Sequence, residues 1–289
     1  MELSQLNMFK VVAEQGSIIR ASELLYCVPS NITNRIKLLE QELGVALFIR
    51  QGRGLVISPS GRVFLSYANK ILSLCKEARG ALAPGAEPSG ILNIGAIESS
   101  ATGRLPNLLS KFRQNHPGVQ MHFSTGNWSQ LVKDVLAYKL DGAVIAVKNQ
   151  HPDLEFQELY KEELVLISSP LIGKINTAQD LQGKPIFMWP EGCPYRASLA
   201  SWLDVHRISS AINDIASYGT ILGCVSSGAG ISVVPKGVFE QFRNIGDIEG
   251  RTFDDLKPIQ NYFVWNSHAG PHRARDAFAD LLMDEFKQI

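Results

Sequence analysis

Apolar residues recur at three- and four-residue intervals in the first part of the chain, and this spacing predicts three short helices. The first covers residues 4–15 and ends at Gly16, and the second covers residues 17–25. The third covers residues 29–43 and ends at Gly44, and three short helices with a tight turn before the third predict a helix-turn-helix. The apolar face of the third helix consists of Ile32, Ile36, Leu39 and Leu43.

Two strand-like runs follow, on either side of Gln51-Gly52-Arg53-Gly54, and they predict a hairpin with glycines at its turn. We interpret this hairpin as a wing. Apolar residues at helical spacing then predict a long helix from residue 59 to about 83. A helix of this length outside a globular core needs a partner helix, and the simplest partner is its own copy. The stretch PGAEPSG that follows is a linker.

Strand-like runs alternate with helical patterns from Gly90 onward, beginning with ILNIGAI, VQMHFSTG and DGAVIAV. This alternation predicts an α/β fold with a mostly parallel, doubly wound sheet. The pattern restarts after LVLISSP, so we expect two lobes joined by extended crossings near 164–168 and 262–267. A cleft between such lobes is where open α/β sheets bind small ligands.

The chain therefore divides into three expected parts. Residues 1–60 form a winged helix-turn-helix, residues 61–89 form a long linker and dimerisation helix with a hinge, and residues 90–289 form a two-lobed domain. The expected limits are 90–163 with 268–289 for the first lobe and 164–267 for the second.

Charge is distributed unevenly, although the net charge of the 289 residues is zero. Residues 1–83 carry an excess of four positive charges and the remainder an excess of four negative charges, which suits a chain that touches phosphate at one end. No run of about 20 apolar residues predicts a membrane span. The first residues lack the layout of a signal peptide, and the four cysteines lack CxxC spacing. We expect a cytoplasmic protein without a metal site.

The polar face of the third helix predicts DNA contacts. Short polar side chains near a helix N-terminus can reach base edges, and the N–H groups there can hold phosphate. An isolated stretch of such residues is usually a solvated surface, but here three helices, a basic wing and a long helix occur in order. Together with the wing arginines, the expected DNA-contacting residues are Ser30, Asn31, Thr33, Asn34, Arg35, Lys37, Arg50 and Arg53.

The sequence contains no pattern that predicts catalysis. Gly228-Ala229-Gly230 lacks the full dinucleotide fingerprint, and the motifs GxxxxGK[ST], HExxH and GxSxG do not occur. The six histidines are scattered. We expect neither an enzyme nor a cofactor.

Several strings of residues, in the right order, resemble the LysR-type transcriptional regulators: FKVVAEQGSIIRASELL, NRIKLLEQELGVALFIR, GRGLVISPSG and GAGISVVP. The resemblance covers nearly the whole chain. It implies a winged helix-turn-helix, a linker helix and a two-lobed effector domain similar to periplasmic binding proteins. It further implies a homodimer or homotetramer that binds inverted-repeat DNA, with contact to RNA polymerase.

The chain departs from the family pattern in the reading helix. Members commonly have Gln-Pro at its start and Ser-Arg one turn later, where this chain has Pro29-Ser30 and Thr33-Asn34. The base preference of the family therefore cannot be transferred to these positions. On the match, Arg53 would enter the minor groove, where narrow A·T tracts favour arginine.

Three segments are expected to contact the effector, because each follows a predicted strand or opens a helix. By resemblance they line the cleft of the family, although helix capping by serine is an equally good interpretation of any single residue. The expected residues are Ser99, Ser100, Thr102, Thr125, Gly126, Asn127, Cys193, Tyr195 and Arg196.

The segment Gly192-Cys193-Pro194-Tyr195-Arg196 has three interpretations. Free N–H groups at a helix start and Arg196 would form an anion pocket. A thiol there would have a lowered pKa and could sense oxidants or aldehydes. The third interpretation is a small cysteine packed under a helix cap.

The expected effector is a small molecule of one of two kinds. Arg196 favours an anion, whereas VPSNITNRI, GAIESSA and GCPYR are similar to a family member that controls putrescine utilisation and imply polyamine or aldehyde metabolism. A cationic diamine would need carboxylates, for which Glu98, Asp141 and Glu191 are candidates.

The function we expect is a DNA-binding regulator whose effector changes promoter binding through a population shift. The alternative from another class is a solute-binding or enzyme-like α/β protein whose N-terminal head only mediates oligomerisation.

Overall fold

The computed structural model describes residues 1–51, 54–81, 87–148, 151–244 and 246–287, which fold into two compact units. The head comprises most of the chain before residue 87, and the body comprises most of the remainder. In the described part of the chain, no helix is long and apolar enough to cross a membrane.

The head has the elements that the hydrophobic pattern predicts, with ends within about two residues of the expected ones where the structure describes them. The expected end of the long helix near residue 83 and the start of the expected linker lie outside the described residues. Gly16 and Gly44 end the first and third helices with φ values of 61° and 67°, a left-handed conformation that glycine adopts without a steric penalty. Ser17 caps the second helix by accepting a hydrogen bond from the N–H of Arg20. The elements are α1 (Leu3–Gln15), α2 (Ile18–Leu24), α3 (Pro29–Leu43), β1 (Phe48–Gln51), β2 (Gly54–Ile57) and α4 (Pro59–Ala81).

One apolar core holds the head together. Ile32, Ile36 and Leu39 of α3 are buried against α1, as their spacing predicts, whereas Leu43 is only partly buried. The ring of Phe9 lies 5.4 Å from that of Phe48 and 5.3 Å from that of Phe64, so the helices, wing and linker helix share this core. Each fully buried side chain of this size stabilises the fold by roughly 1.5–3 kcal/mol. The core therefore fixes the orientation of α3.

The body contains two five-stranded sheets with helices packed on them. In chain order its elements are β3 (Gly90–Ala96), α5 (Glu98–Gly103), α6 (Pro106–Asn115), β4 (Val119–Thr125), α7 (Trp128–Leu136), β5 (Gly142–Ile145), β6 (Leu154–Glu162), β7 (Leu164–Ser168), β8 (Ile186–Met188), α8 (Pro194–Val205), β9 (Ile212–Asp214), α9 (Tyr218–Ser226), β10 (Ile231–Pro235), α10 (Lys236–Phe242), β11 (Glu249–Arg251), β12 (Ile259–Asn266) and α11 (Arg273–Phe286).

Each sheet is mixed, and the expectation of a mostly parallel sheet is only half correct. The first lobe has the strand order β4-β3-β5-β12-β6, in which β3 pairs parallel with β4 and β5. The second lobe has the order β11-β7-β10-β8-β9, in which β8 pairs parallel with β9 and β10. The remaining pairs, β12 with β5 and β6 and β7 with β10 and β11, are antiparallel.

The expected limit of the second lobe at residue 267 is wrong. Strand β12 pairs with β5 and β6, so it belongs to the first lobe. The apolar run YFVWNS correctly predicts a strand, but a strand's own residues do not show which sheet accepts its hydrogen bonds. Strand β6 was not predicted, because the glutamates of LEFQELYKE hide its alternation.

Candidate functional site

The reading helix α3 presents a polar face opposite its apolar stripe. Ser30, Asn31, Asn34 and Lys37 are exposed, while Ile32, Ile36 and Leu39 are buried in the head core. Burial of the stripe fixes the rotation of the helix about its axis, so these four polar side chains face solvent together.

Two of the expected DNA-contacting residues of α3 already have partners within the head. Thr33 donates its hydroxyl to the carbonyl of Pro29 at 2.9 Å, and Arg35 forms an ion pair with Glu2. Both side chains are partly buried. The Thr33 hydroxyl can still accept a hydrogen bond and the Arg35 guanidinium keeps further N–H donors, so these partners orient the two side chains without using up their capacity to contact DNA.

The wing is a two-stranded hairpin in which Arg50 pairs with Leu55 across the strands. Arg50 is exposed on β1. Arg53, expected at the wing turn, lies outside the described residues.

The turn before α3 carries an exposed aromatic residue that no sequence pattern identifies as functional. Tyr26 has φ 50°, a left-handed conformation that is uncommon for a residue other than glycine, and its side chain is 97% exposed. The backbone N–H of Cys27 donates to the carbonyl of Ser22 and closes this turn at 3.1 Å.

The body contains a cavity of about 790 Å³ at the carboxyl ends of four strands. Its lining residues come from the segments 97–102, 125–129, 189–195 and 216–219, which follow β3, β4, β8 and β9, with Phe242 of α10 added. Because β3 pairs parallel with β4 and β8 with β9, the segments from each lobe meet at one edge of its sheet. The indole N–H of Trp128 donates to the carbonyl of Gly192 at 3.0 Å and so joins the two lobes beside the cavity.

Most of the residues expected to contact the effector line this cavity. They are Ser99, Thr102, Thr125, Gly126, Asn127, Cys193 and Tyr195. Of the three candidate carboxylates, Glu98 and Glu191 line it, while Asp141 accepts hydrogen bonds from Asn93 instead. The aromatic residues Trp128, Trp189, Tyr218 and Phe242 were not predicted, because a single aromatic residue in a sequence looks the same in a core and in a cavity wall.

Ser100 does not line the cavity, in contrast to the expectation. Its hydroxyl lies 2.9 Å from that of Tyr160 and donates to Asn261 at 3.4 Å. Tyr195 donates to the same amide oxygen at 3.3 Å and accepts a hydrogen bond from Ser99, also at 3.3 Å. Burial raises the pKa of the Tyr195 hydroxyl, which stays neutral. These hydroxyl groups form a buried network that links the cavity lining at Ser99 and Tyr195 to Ser100 and Tyr160 behind it.

Arg196 does not line the cavity either. Its guanidinium forms an ion pair with Asp214 and donates to the carbonyl of Trp189 at 3.0 Å. The residue lies in the first turn of α8, but its side chain is held by strand β9. The structure therefore gives no support to an anion pocket built on Arg196.

Cys193 lines the cavity, but its thiol is not activated. Burial raises the pKa of the thiol above its ordinary value and outweighs the hydrogen bonds from the backbone of Arg196 and Tyr195, which lower it. The expectation of a lowered pKa is therefore wrong. A helix start favours the thiolate, but removal from water disfavours it more strongly here.

A buried ion pair connects the two lobes on another side of the body. Arg104, which follows α5 of the first lobe, donates to both oxygens of Glu162 at 2.8 and 2.7 Å. Glu162 also accepts a hydrogen bond from the N–H of Gly237, in α10 of the second lobe, at 3.0 Å. A Cβ atom on Gly103 would lie 2.5 Å from the carbonyl carbon of Gly237, so the two helices approach at glycines.

Comparison with known proteins assigns both parts of the chain. Residues 3–62 match the bacterial regulatory helix-turn-helix of the lysR family, and residues 85–287 match the LysR substrate binding domain. The chain is 41% identical over 251 residues to YusT of Bacillus subtilis, an uncharacterised HTH-type transcriptional regulator, covering 86% of this chain and 83% of that protein. It is 36% identical over 289 residues to the HTH-type transcriptional regulator GltR of the same organism, covering 99% and 98%.

Solved structures share the fold at lower identity. A full-length OxyR variant from Pseudomonas aeruginosa is similar with a TM-score of 0.80 and 23% identity, covering 99% of this chain and 95% of that chain. The LysR-family regulator CbnR in complex with its target DNA is similar with a TM-score of 0.67 and 23% identity, covering 98% and 99%.

These matches settle the choice between the two classes of function. The head matches a DNA-binding model and the relatives are transcriptional regulators, so the solute-binding or enzyme-like alternative is wrong. The chain belongs to the LysR family and is a DNA-binding transcriptional regulator with a C-terminal effector-binding domain.

Proposed function

We propose that a homodimer, or a homotetramer built from two such dimers, binds an inverted-repeat promoter site with α3 in the major groove. The observation that carries this proposal is the exposure of Ser30, Asn31, Asn34 and Lys37 on one face of a helix whose other face is buried. Asparagine suits adenine, and lysine suits phosphate. Arg50 would contact the backbone from the wing, and Arg53 would enter the minor groove.

An exposed apolar face of α4 supports self-association. Val63, Tyr67 and Leu74 are 62%, 57% and 63% exposed, and their spacing places them on one side of the helix. A second copy of α4 would cover these side chains.

The effector would bind in the cavity of the body and change how the subunits pack. It would do so by binding two arrangements of the regulator with different affinity, which shifts their populations and alters DNA bending or polymerase contact. The regulator would act in the cytoplasm, where it meets promoter DNA. An effector drawn from polyamine or aldehyde metabolism stays a prediction.

The test of the DNA-binding surface is selection of binding sites from a random pool by the full-length protein, followed by Asn34→Ala. We expect an inverted repeat, and we expect the variant to bind it more weakly by about 1–3 kcal/mol and to lose preference at one base of each half-site. Asn7→Ala, at an exposed asparagine of α1, is the matched control and should bind as the wild type does. Selection without an inverted repeat, or equal effects of the two variants, would contradict the proposal.

A further inference from the structure

The cavity of the body carries negative side chains without positive ones. Glu98 and Glu191 line it, and no lysine or arginine side chain does so in the described part of the chain. Arg196, the nearest candidate in the sequence, is paired with Asp214 instead. A ligand with a positive group would therefore meet carboxylates and no like charge.

Aromatic rings form another part of the wall. Trp128, Trp189, Tyr218 and Phe242 line the cavity, and the rings of Trp189 and Tyr218 lie 5.2 Å apart. The negative faces of such rings attract ammonium groups, including methylated ones. Carboxylates and aromatic rings together favour a ligand that carries an amine.

The N-termini of two helices at the cavity favour a negatively charged group on the ligand. Helices α7 and α9, from different lobes, begin at the cavity. Asn127 and Ser217 cap the N–H groups of Gln130 and Thr220, and no acceptor among the described residues takes those of Trp128, Ser129, Tyr218 and Gly219. Free N–H groups at helix N-termini bind carboxylates, because the partial charge there is positive.

We propose that the effector is a zwitterion, an amino acid or an N-methylated amino acid. Its carboxylate lies at the N-termini of α7 and α9, and its ammonium lies toward Glu98, Glu191 and the aromatic wall. This inference rests on the proposed function, in which the cavity holds the effector. The proposed ligand carries both a positive and a negative charge, whereas the sequence led to the expectation of a simple anion or a diamine.

The experiment measures thermal shifts and calorimetric binding of the full-length protein with matched compounds. The panel contains the 20 standard amino acids, N-methylglycine and glycine betaine. For each amino acid that binds, the panel adds the amine without the carboxylate and the acid without the amine, with putrescine as a diamine. We expect at least one zwitterion to bind, and each partial compound to bind at least about tenfold more weakly, since each lacks one charge-assisted contact. No binding by any zwitterion, or equal binding by an acid or by putrescine, would overturn the proposal.

Substitutions in the cavity then test the role of the carboxylate. Glu98→Gln keeps the size of the side chain. We expect it to weaken binding of the amino acid by about tenfold and to leave the affinity for the acid without the amine unchanged. Glu155→Gln, at an exposed position of β6 outside the cavity, is the matched control. Loss of affinity for both compounds in Glu98→Gln would contradict the assignment of the ammonium to this wall.

Failure of the inference is distinguishable from failure of the proposed function. If an amino acid binds but leaves the affinity for selected DNA unchanged, the ligand class holds and effector control fails. If putrescine or a simple acid binds the protein more tightly than any amino acid and changes its affinity for DNA, effector control holds and the proposed ligand class is wrong.

Discussion

The carboxylate of Glu162 accepts both hydrogen bonds of the Arg104 guanidinium, at 2.8 and 2.7 Å, and only 2% of the glutamate side chain is exposed. The hydrogen bonds to Glu162 raise the pKa of Arg104, so the pair stays charged. Because Glu162 also accepts the N–H of Gly237, this contact connects three elements from two lobes.

Removal of this charge is expected to destabilise the body. Glu162→Gln leaves the partly buried guanidinium of Arg104 with only the more exposed carboxylate of Glu240, 3.8 Å away, as a counter-charge, and we expect the free energy of unfolding to fall by about 3 kcal/mol. Glu163→Gln is the adjacent control, because its ion pair with Lys236 is exposed and is worth about 0–1 kcal/mol. Urea denaturation of both variants measures the difference, and equal losses would refute the structural role of the buried pair.

The close approach of α5 and α10 makes a second prediction. Gly103→Ala places a methyl group 2.5 Å from backbone atoms of Gly237, and we expect a loss of roughly 1–3 kcal/mol. Gly223→Ala in α9 meets nothing within 4 Å and should be neutral or stabilising by about 0.5–1 kcal/mol, as alanine is the better helix former. Thermal unfolding compares the two, and a stable Gly103→Ala protein would show that the helices separate at little cost.

Self-association through α4 depends on its exposed apolar face. Leu74→Glu places a charge on that face, so we expect the dimer to dissociate at concentrations where the wild type is dimeric. Val205→Glu, at a residue of α8 that is 73% exposed, should leave the molar mass unchanged. Light scattering after size-exclusion chromatography measures the mass. A dimeric Leu74→Glu protein would indicate that another surface holds the subunits.

The salt dependence of DNA binding tests the phosphate contact expected of Lys37. Lys37→Ala should lower the slope of log affinity against log salt by about one for each subunit on DNA, because one fewer counterion is released. Lys174→Ala removes an exposed lysine of the body and should leave the slope unchanged. Fluorescence anisotropy over a salt series gives both slopes. If both variants retained the wild-type slope, Lys37 would not contact phosphate.

The raised pKa of Cys193 predicts slow chemistry at neutral pH. The thiolate is the reactive form, and a raised pKa moves its appearance to higher pH, so alkylation at pH 7 should be slower than that of free cysteine and increase as the pH rises. Mass spectrometry of the peptide that contains Cys193, after timed treatment with iodoacetamide, follows the reaction. Rapid alkylation at pH 7 would restore the redox interpretation.

Local patterns determined much of this protein from its sequence. The limits of α1 and α3 follow from apolar spacing and from the glycines that end these helices, and both signals depend on residues within one or two turns. The polar face of α3 follows from the same spacing. Segments after β3 and β4 line the cavity as expected, because the ends of parallel strands meet at one edge of a sheet.

Tertiary structure alone decided the features that depend on distant partners. Strand β12 belongs to the first lobe because it is hydrogen-bonded to β5 and β6. Arg196 does not line the cavity because its guanidinium is paired with Asp214. The pKa of the Cys193 thiol is raised because the thiol is buried. Each result is a balance of desolvation and contact between residues far apart in the chain, and the spacing of neighbouring residues carries no information about that balance.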